Sequence, residues 1–407
     1  MRKLPEEWEV VRLGEIVNIY DKQRIPLDSE FRLTIKGNIP YCGATGVIDY
    51  INDYIFDGEY LLIAEDGGNF GRFEKTAYMM KGKFWANNHV HILRGRDDIS
   101  DNNFLMYFMN FQDISCYISG STREKLNQAL LKSIIIPLPP LPEQRKIAEI
   151  LETADKAIEK TDAIIEKYRR IKQGLMQDLL TKGIDEKGQI RSEETHKFKD
   201  SPLGRLPEEW EVANIGKAGK VITGSTPPTA NPKYYGDCYL FISPEDITNS
   251  KFITDTQKKL SECGFKISRS VLPYSICVVC IGSTIGKVAM TKSICTTNQQ
   301  INSIIPDINI FNPDALFYFV LFYSQTPLKH EAGLQAVPIV NKSRFSTIKI
   351  PLPPLPEQHR IASVLSQIDE VIEKEERYKE KLGRIKQGLM QDLLTGKVRV
   401  NHLIKET

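Results

Sequence analysis

Apolar residues along this chain recur with a helical step in two long stretches and cluster like strands elsewhere. Ile147, Leu151, Ala154, Ile158, Thr161, Ile165 and Tyr168 alternate steps of four and three, before Ile171, Leu175 and Leu179 shift the phase. Ile361, Leu365, Ile368 and Ile372 repeat the pattern, and after polar Glu375 it resumes at Tyr378, Leu382, Ile385 and Leu389. Each stripe predicts a heptad-like seam on a helix of about 38 residues. Such a seam can pack on its own globular domain or on another helix. The lengths exceed those of ordinary globular helices, which favours helix on helix.

Outside these stretches the pattern predicts mixed α/β heads. Tyr54-Ile55-Phe56 and Tyr60 to Ala64 read as strands bounded by Asp57-Gly58 and Asp66-Gly67-Gly68, and Phe104 to Phe111 as a short helix. Later, Cys238 to Ile242, Ile276 to Ile281 and Lys287 to Met290 read as strands, and Pro313 to Ser324 as a helix.

The layout is written twice. Leu4-Pro5-Glu6-Glu7-Trp8-Glu9-Val10 returns as Leu206-Pro207-Glu208-Glu209-Trp210-Glu211-Val212, and Ile136 to Gln144 returns as Ile350 to Gln358. Arg170 to Thr181 is identical to Arg384 to Thr395. Proline fixes φ and lacks an N–H, so Leu-Pro-Pro-Leu-Pro reads as an extended corner, with Pro142 and Pro356 opening the helices. The expected order is head 1–141, arm 142–181, polar linker 182–205, head 206–355, arm 356–395 and tail 396–407. The linker, with Gly183, Gly188 and Gly204 and no apolar period, reads as a hinge.

Geometry favours antiparallel arms. A first helix of about 38 residues ends about 57 Å from its head. An antiparallel partner lets the linker make a short hop, whereas a parallel one needs an extended return at entropic cost. The expected fold is therefore mixed α/β, with two heads separated by a long antiparallel two-helix coiled coil and an internal two-fold repeat.

Composition narrows the function. A chain of 407 residues with 41% apolar content can bury more than one core. It has no apolar run of about 18 residues, and Met1-Arg2-Lys3 leads into acidic Glu6-Glu7, so a cytoplasmic protein without membrane contact is expected. Seven scattered cysteines build no disulfide framework, and Cys277-Val278-Val279-Cys280 reads as a buried strand rather than a metal site. The formal net charge of +2 neither demands nor excludes nucleic acid.

Two clusters correspond between the heads. Gly67 to Arg72, containing Asn69, resembles Gly282 to Lys287, containing Thr284; Asn87-Asn88-His89 matches Asn298-Gln299-Gln300. Glycines allow close approach to a phosphate, Arg72 and Lys287 supply charge, and amides can pair with adenine in the major groove. The structural reading of the same residues is a hairpin turn with amides bonded to local backbone. Further candidates for DNA contact are Lys22, Gln23, Arg24, Ser121, Thr122, Arg123, Ser225, Thr226, Lys233, Lys342 and Arg344. Gly282 to Lys287 lacks P-loop spacing. His89 and His91 flank Val90, but nothing adjacent completes a triad or metal site, and no cofactor fingerprint or carboxylate cluster is found. Binding rather than catalysis is expected, with no cofactor in this chain.

The repeated corner, the Lys-Gln-Gly-Leu-Met-Gln-Asp-Leu-Leu-Thr arm ends, the entry motif and Gly396-Lys397-Val398-Arg399-Val400 resemble the DNA specificity subunit of type I restriction-modification systems. Gly43 to Ile48 and Gly224-Ser225-Thr226-Pro227 fit the same family. The resemblance implies a non-catalytic subunit with two target-recognition domains, each reading half of a bipartite, asymmetric site in double-stranded DNA. It further implies arms that recruit two modification subunits, which use S-adenosylmethionine, and restriction subunits, which use ATP and magnesium. The rival reading is a coiled-coil adaptor whose proline segments are ligands for proline-binding modules.

Overall fold

The strand-forming part of each entry motif pairs with the strand that ends in the proline corner. Glu9–Arg12 runs antiparallel to Ile135–Leu138, and Glu211–Asn214 runs antiparallel to Lys349–Leu352. In both, the Pro-Glu-Glu-Trp turn closes with a tryptophan amide donating to the proline carbonyl, Trp8 to Pro5 and Trp210 to Pro207, at 3.0 Å each. In this computed structural model, residues 4–120, 125–332 and 339–404 are described. The chain divides into two compact units, 1–162 with 378–407 and 163–377.

In the first unit a six-stranded sheet has the order Val17–Ile19, Val90–Gly95, Phe56–Ala64, Ala77–Ala86, Lys36–Gly43 and Gly46–Ile51. All pairs are antiparallel except Lys36–Gly43 against Ala77–Ala86, which meet at Tyr41↔Trp85 and Cys42↔Ala86. Asp57-Gly58 does not interrupt a strand as expected. Gly58 sits opposite Gly82, both at positive φ, so the ladder passes through a glycine pair that tolerates the distortion. The helix Asn102–Phe111 buries Phe104, Leu105 and Phe108 in the main core, which Leu393 and Leu394 also enter.

In the second unit the same strands recur as two sheets. One orders Gly219–Thr223, Ile301–Pro306, Ile276–Val279, Val288–Thr291 and Phe252–Ile253; the other orders Lys258–Leu260, Tyr235–Ile242, Cys295–Thr297 and Ser270–Val271. Val288–Thr291 and Cys295–Thr297 together occupy the place of the long strand Ala77–Ala86, and the parallel pairing survives at Ile242↔Thr297. Cys277 and Cys280 are buried here, and burial pushes both thiols up to about 12.

The corner helices run Leu141–Thr181 and Leu355–Leu393, each starting one residue before the proline expected to open it. Within each unit the two helices pair antiparallel. Asp155 meets Lys386 and Asp162 meets Lys379 in the first; Lys172 meets Asp369 and Arg169 meets Glu376 in the second. The expected phase shift at the arm ends does not occur: Tyr378, Ile171 and Ile385 are exposed, at 51%, 37% and 46%. Lys172 and Lys386 take the seam positions instead. Each binds an aspartate that also accepts from a head tyrosine, Tyr318 to Asp369 at 2.6 Å and Tyr107 to Asp155 at 2.8 Å. Burial, helped by these aspartates, pushes both phenols above their ordinary range.

A buried glutamate from each corner gathers the rest. Glu357 accepts from the Trp210 indole at 3.0 Å, from the Ile184 amide at 2.8 Å and from the Arg191 guanidinium. Glu143 accepts from the Trp8 indole at 3.2 Å, from Arg399 at 2.7 Å and from the Val400 amide at 3.3 Å. The segment expected to be a hinge is thus folded onto the second head, and it adds a hairpin, Phe198–Ser201 with Gly204–Pro207. Gly183 and Gly396 leave their helices at φ +71 and +68, and a Cβ on Gly183 would lie 2.2 Å from the Glu357 carboxylate. The neighbouring glutamines lock the corner. Gln144 donates to Pro139 and accepts from the Asp101 amide; Gln358 donates to Pro353 and accepts from the Asn312 amide.

The first head also holds a buried ionic network. Asp21 accepts from His91 at 2.6 Å and from the Ile92 amide at 3.0 Å; Glu65 accepts from Arg24 at 2.5 Å and Lys125 at 2.9 Å. Burial alone would raise both carboxyls. For Asp21 the hydrogen bond and charge of His91 outweigh it, and for Glu65 the bonds from Arg24 and Lys125 do, so both lie below their ordinary values.

Two stability results are expected. Glu357→Ala leaves the buried Arg191, 7% exposed, with only a 3.4 Å contact to the exposed Glu209, and costs about 3–5 kcal/mol in urea unfolding. Glu143→Ala costs less, because Arg399 is 24% exposed and can rehydrate. Equal costs contradict this account of the clasp. Because Asp21 and Glu65 have depressed folded values, their contribution is full above about pH 5 and drains as pH falls through their folded values. The chain's melting temperature falls on acidification, and Asp21→Asn with Glu65→Gln lowers it at neutral pH while flattening that slope. A double variant with the wild-type slope refutes the assignment.

Candidate functional site

The amide triplets occupy one position in both heads. Each follows the parallel strand pair, and its first residue donates its amide to the neighbouring strand, Asn87 to Cys42 at 3.0 Å and Asn298 to Ile242 at 2.9 Å. Its side-chain oxygen then accepts from the amide two residues on, His89 at 2.8 Å and Gln300 at 3.0 Å. The third residue's carbonyl receives a strand-end amide, Glu65 to His89 at 2.9 Å and Cys280 to Gln300 at 2.8 Å. This is an Asx turn in which asparagine mimics backbone. The middle residues, Asn88 and Gln299, are exposed.

Different side chains fill this common frame. In the first head His89 Nδ1 lies 2.6 Å from the Asp66 carboxylate. Arg24 reaches the Asn88 carbonyl at 3.5 Å and the Val90 carbonyl at 2.8 Å, which brings the turn Asp21–Gln23, with exposed Lys22 and Gln23, beside the triplet. Arg24 itself is held by Glu65. In the second head Thr226 donates to Gln299, and Asn298 donates to Gln300 at 3.0 Å. Thr226, Thr284, Asn298 and Gln300 line one open cleft of about 440 Å³, together with Ser243, Glu245, Gln257 and Lys258. Those last four come from segments that carry no sequence signal linking them to the triplet.

The glycine loops correspond in part. Gly67 and Gly282 both have positive φ and start the loop after equivalent strands, but Gly286 has φ +91 and Gly71 is not left-handed. Arg72 bonds Gln391 and lies over the rings of Phe73 and Phe111, at 5.0 and 4.8 Å. Its charge is engaged by the second arm helix and two aromatic rings. Asn69 is exposed, and Lys287 projects from an exposed position.

The remaining candidates are dispersed. Ser225 Oγ accepts from the Arg269 amide, which fixes the start of the loop that carries Thr226. Lys233 is exposed on the turn Pro232–Tyr234. Lys342 and Arg344 sit on the helix Lys342–Thr347, and Arg344 lines a different pocket, with His330 and Thr326. Ser121, Thr122 and Arg123 lie outside the described residues. Among the described residues, no group of three or more His, Cys, Asp or Glu side chains is placed to hold a metal, and no helix is long and apolar enough to cross a membrane.

Comparison with known proteins agrees with the repeat. A family model described as the type I restriction modification DNA specificity domain matches residues 5–167 and again 207–384. The type I restriction enzyme MjaVIII specificity subunit of Methanocaldococcus jannaschii is 28% identical over 98% of this chain and 95% of its own length. The EcoDI specificity subunit of Escherichia coli is 25% identical over 90% of this chain and 82% of its own. In fold, the chain is similar to the type I restriction-modification S subunit from M. genitalium, with TM-score 0.66 and 15% identity over 96% of this chain and 98% of that one. Two copies of one head-and-arm plan, matched twice by one family model over most of the chain, make this protein a member of the type I restriction modification DNA specificity family.

Proposed function

We propose that this chain is the sequence-reading, non-catalytic subunit of a type I restriction-modification complex, each head reading half of a bipartite, asymmetric site in double-stranded DNA. The observation that carries this reading is the conserved turn with exchanged contents: one backbone frame holds Asn88 and His89 in the first head and Gln299 and Gln300 in the second. A shared frame with different polar tips suits two readers of different sequence, because donors and acceptors on base edges are what distinguish base pairs. The chain works in the cytoplasm. S-adenosylmethionine, ATP and magnesium serve the modification and restriction subunits that it recruits. The adaptor reading is disfavoured by the corner geometry: Pro139 and Pro353 are buried with their carbonyls bonded to Gln144 and Gln358, and of each run only the following prolines, Pro140 and Pro142 or Pro354 and Pro356, are exposed.

Support for recruitment by the arms comes from what the identical arm ends leave outside. Leu179 and Leu393 are buried and the seam lysines are paired, so those positions recur for internal reasons. Ile171, Gln173 and Gly174 face out, as do Ile385, Gln387 and Gly388, and a Cβ on either glycine would meet nothing within 4 Å. An exposed mid-helix glycine costs about 1 kcal/mol relative to alanine. A modification subunit that packs closely on each arm would explain why both are kept.

Two results test the proposal. Replacing residues 11 to 133 with another family member's first head changes one half-site only in methylation of plasmid DNA by the assembled complex; a change in both half-sites contradicts separate readers. Gly174→Leu with Gly388→Leu leaves thermal stability equal or higher, yet weakens binding of the modification subunit by about tenfold or more, on the order of 1.4 kcal/mol. Undiminished partner binding removes the arm argument.

A further inference from the structure

The hydrogen-bond frame of the triplets fixes which atoms face outward, and that separates framing residues from reading residues. In the second head, Asn298 Oδ1 accepts a backbone N–H from Gln300, so its Nδ2 must be the donor. That Nδ2 lies 3.0 Å from Gln300, which therefore turns its Oε1 toward Asn298. The Gln300 Nε2, with two N–H groups, is left on the open side, among the polar residues of the cleft it shares with Thr226 and Thr284. The same frame stands in the first head. Asn87, 6% exposed, uses its oxygen on the His89 amide, and His89 Nδ1 is held by the Asp66 carboxylate, which leaves Nε2 at the outer edge of a ring 39% exposed.

We infer that His89 and Gln300 are specificity-determining residues at one common position of the two heads, and that Asn87 and Asn298 are positioning residues that aim them. This rests on the reading of the chain as a DNA reader, and it reassigns the first asparagine of each triplet from base contact to frame. Each reader has one edge locked by the protein and one edge left for a partner. The locked edge limits the reader to few orientations, which is what discrimination between base edges demands. The contents differ where it matters: an amide N–H donor in the second head, an imidazole nitrogen in the first. An N–H donor pairs with acceptors such as guanine O6 and N7, and a change of that group alters which base edge is accepted. The framing asparagines are identical because both must satisfy the same backbone amide.

The test is selection of bound sequences from a randomised duplex by the full chain assembled with its modification subunits. Gln300→Met keeps length and removes the outward donor without adding charge. It is expected to relax preference at one base position of one half-site, with affinity for the wild-type sequence down about tenfold, and to leave the other half-site intact. His89→Ala is expected to do the same to the other half-site. Asn298→Ala, which frees the Gln300 amide to turn, is expected to lower the melting temperature and to relax preference at the same base position as Gln300→Met, less completely and at no other position. A Gln300→Met protein that melts like wild type and selects the wild-type sequence overturns the inference, as does a uniform loss across all sequences. If Gln300→Met fails to fold, Gln300→Glu, which exchanges donor for acceptor in the same volume, is read by the same criteria. A wild-type assembly with no sequence preference would instead sink the proposed function, and the inference with it.

Discussion

The buried carboxylate at each proline corner is the contact on which everything else depends. Glu143 and Glu357 are almost fully buried, at 1% and 2%, and a buried charge survives only if its lone pairs are satisfied. Satisfying them draws an indole from the entry motif, a guanidinium from a polar segment and a backbone amide beyond an arm helix to one point. The entry and corner motifs look independent along the chain, but their tryptophan and glutamate meet in one clasp made twice, closed by residues that follow each arm helix. The repeated tryptophan and glutamate follow, because exchanging either leaves a buried polar group short of a partner.

With the ends of each head fixed in this way, the interior can change. The first head carries one long strand where the second has two shorter ones, and it places an ionic network where the second has neutral amides and a cleft. The Asx turn at the triplet survives these changes because it depends on backbone amides and one asparagine. Within the triplet, the difference between the heads lies in the side chains that the frame holds outward, so one fold presents two different polar surfaces.

How much of this could be read from sequence depended on whether a residue's role was local. The repeats, the arm helices and the strand Tyr235–Ile242 follow from patterns within short windows. The seam could be traced only while it stayed apolar: at Lys172 and Lys386 it continues through ion pairs, and counting hydrophobic positions moved the stripe to Ile171 and Ile385, which face out. The polar segment after the first arm looked like a hinge because its anchor, Arg191, is a charged residue whose partner lies far along the chain. The candidate site behaved likewise. The triplets were visible as amide clusters, but Arg24 and Arg72 are engaged by Glu65 and Gln391, and the side-chain oxygens of Asn87 and Asn298 are taken by the backbone amides of His89 and Gln300. Composition cannot distinguish a cation facing solvent from one already bound.

The central claim is that the two heads read separate half-sites through one shared frame. Mapping methylated adenines in the DNA of a host that carries this chain with its modification subunits tests it most directly. The account predicts one asymmetric motif, two short specified blocks around an unspecified spacer. A single contiguous or palindromic motif that depends on this chain would contradict it.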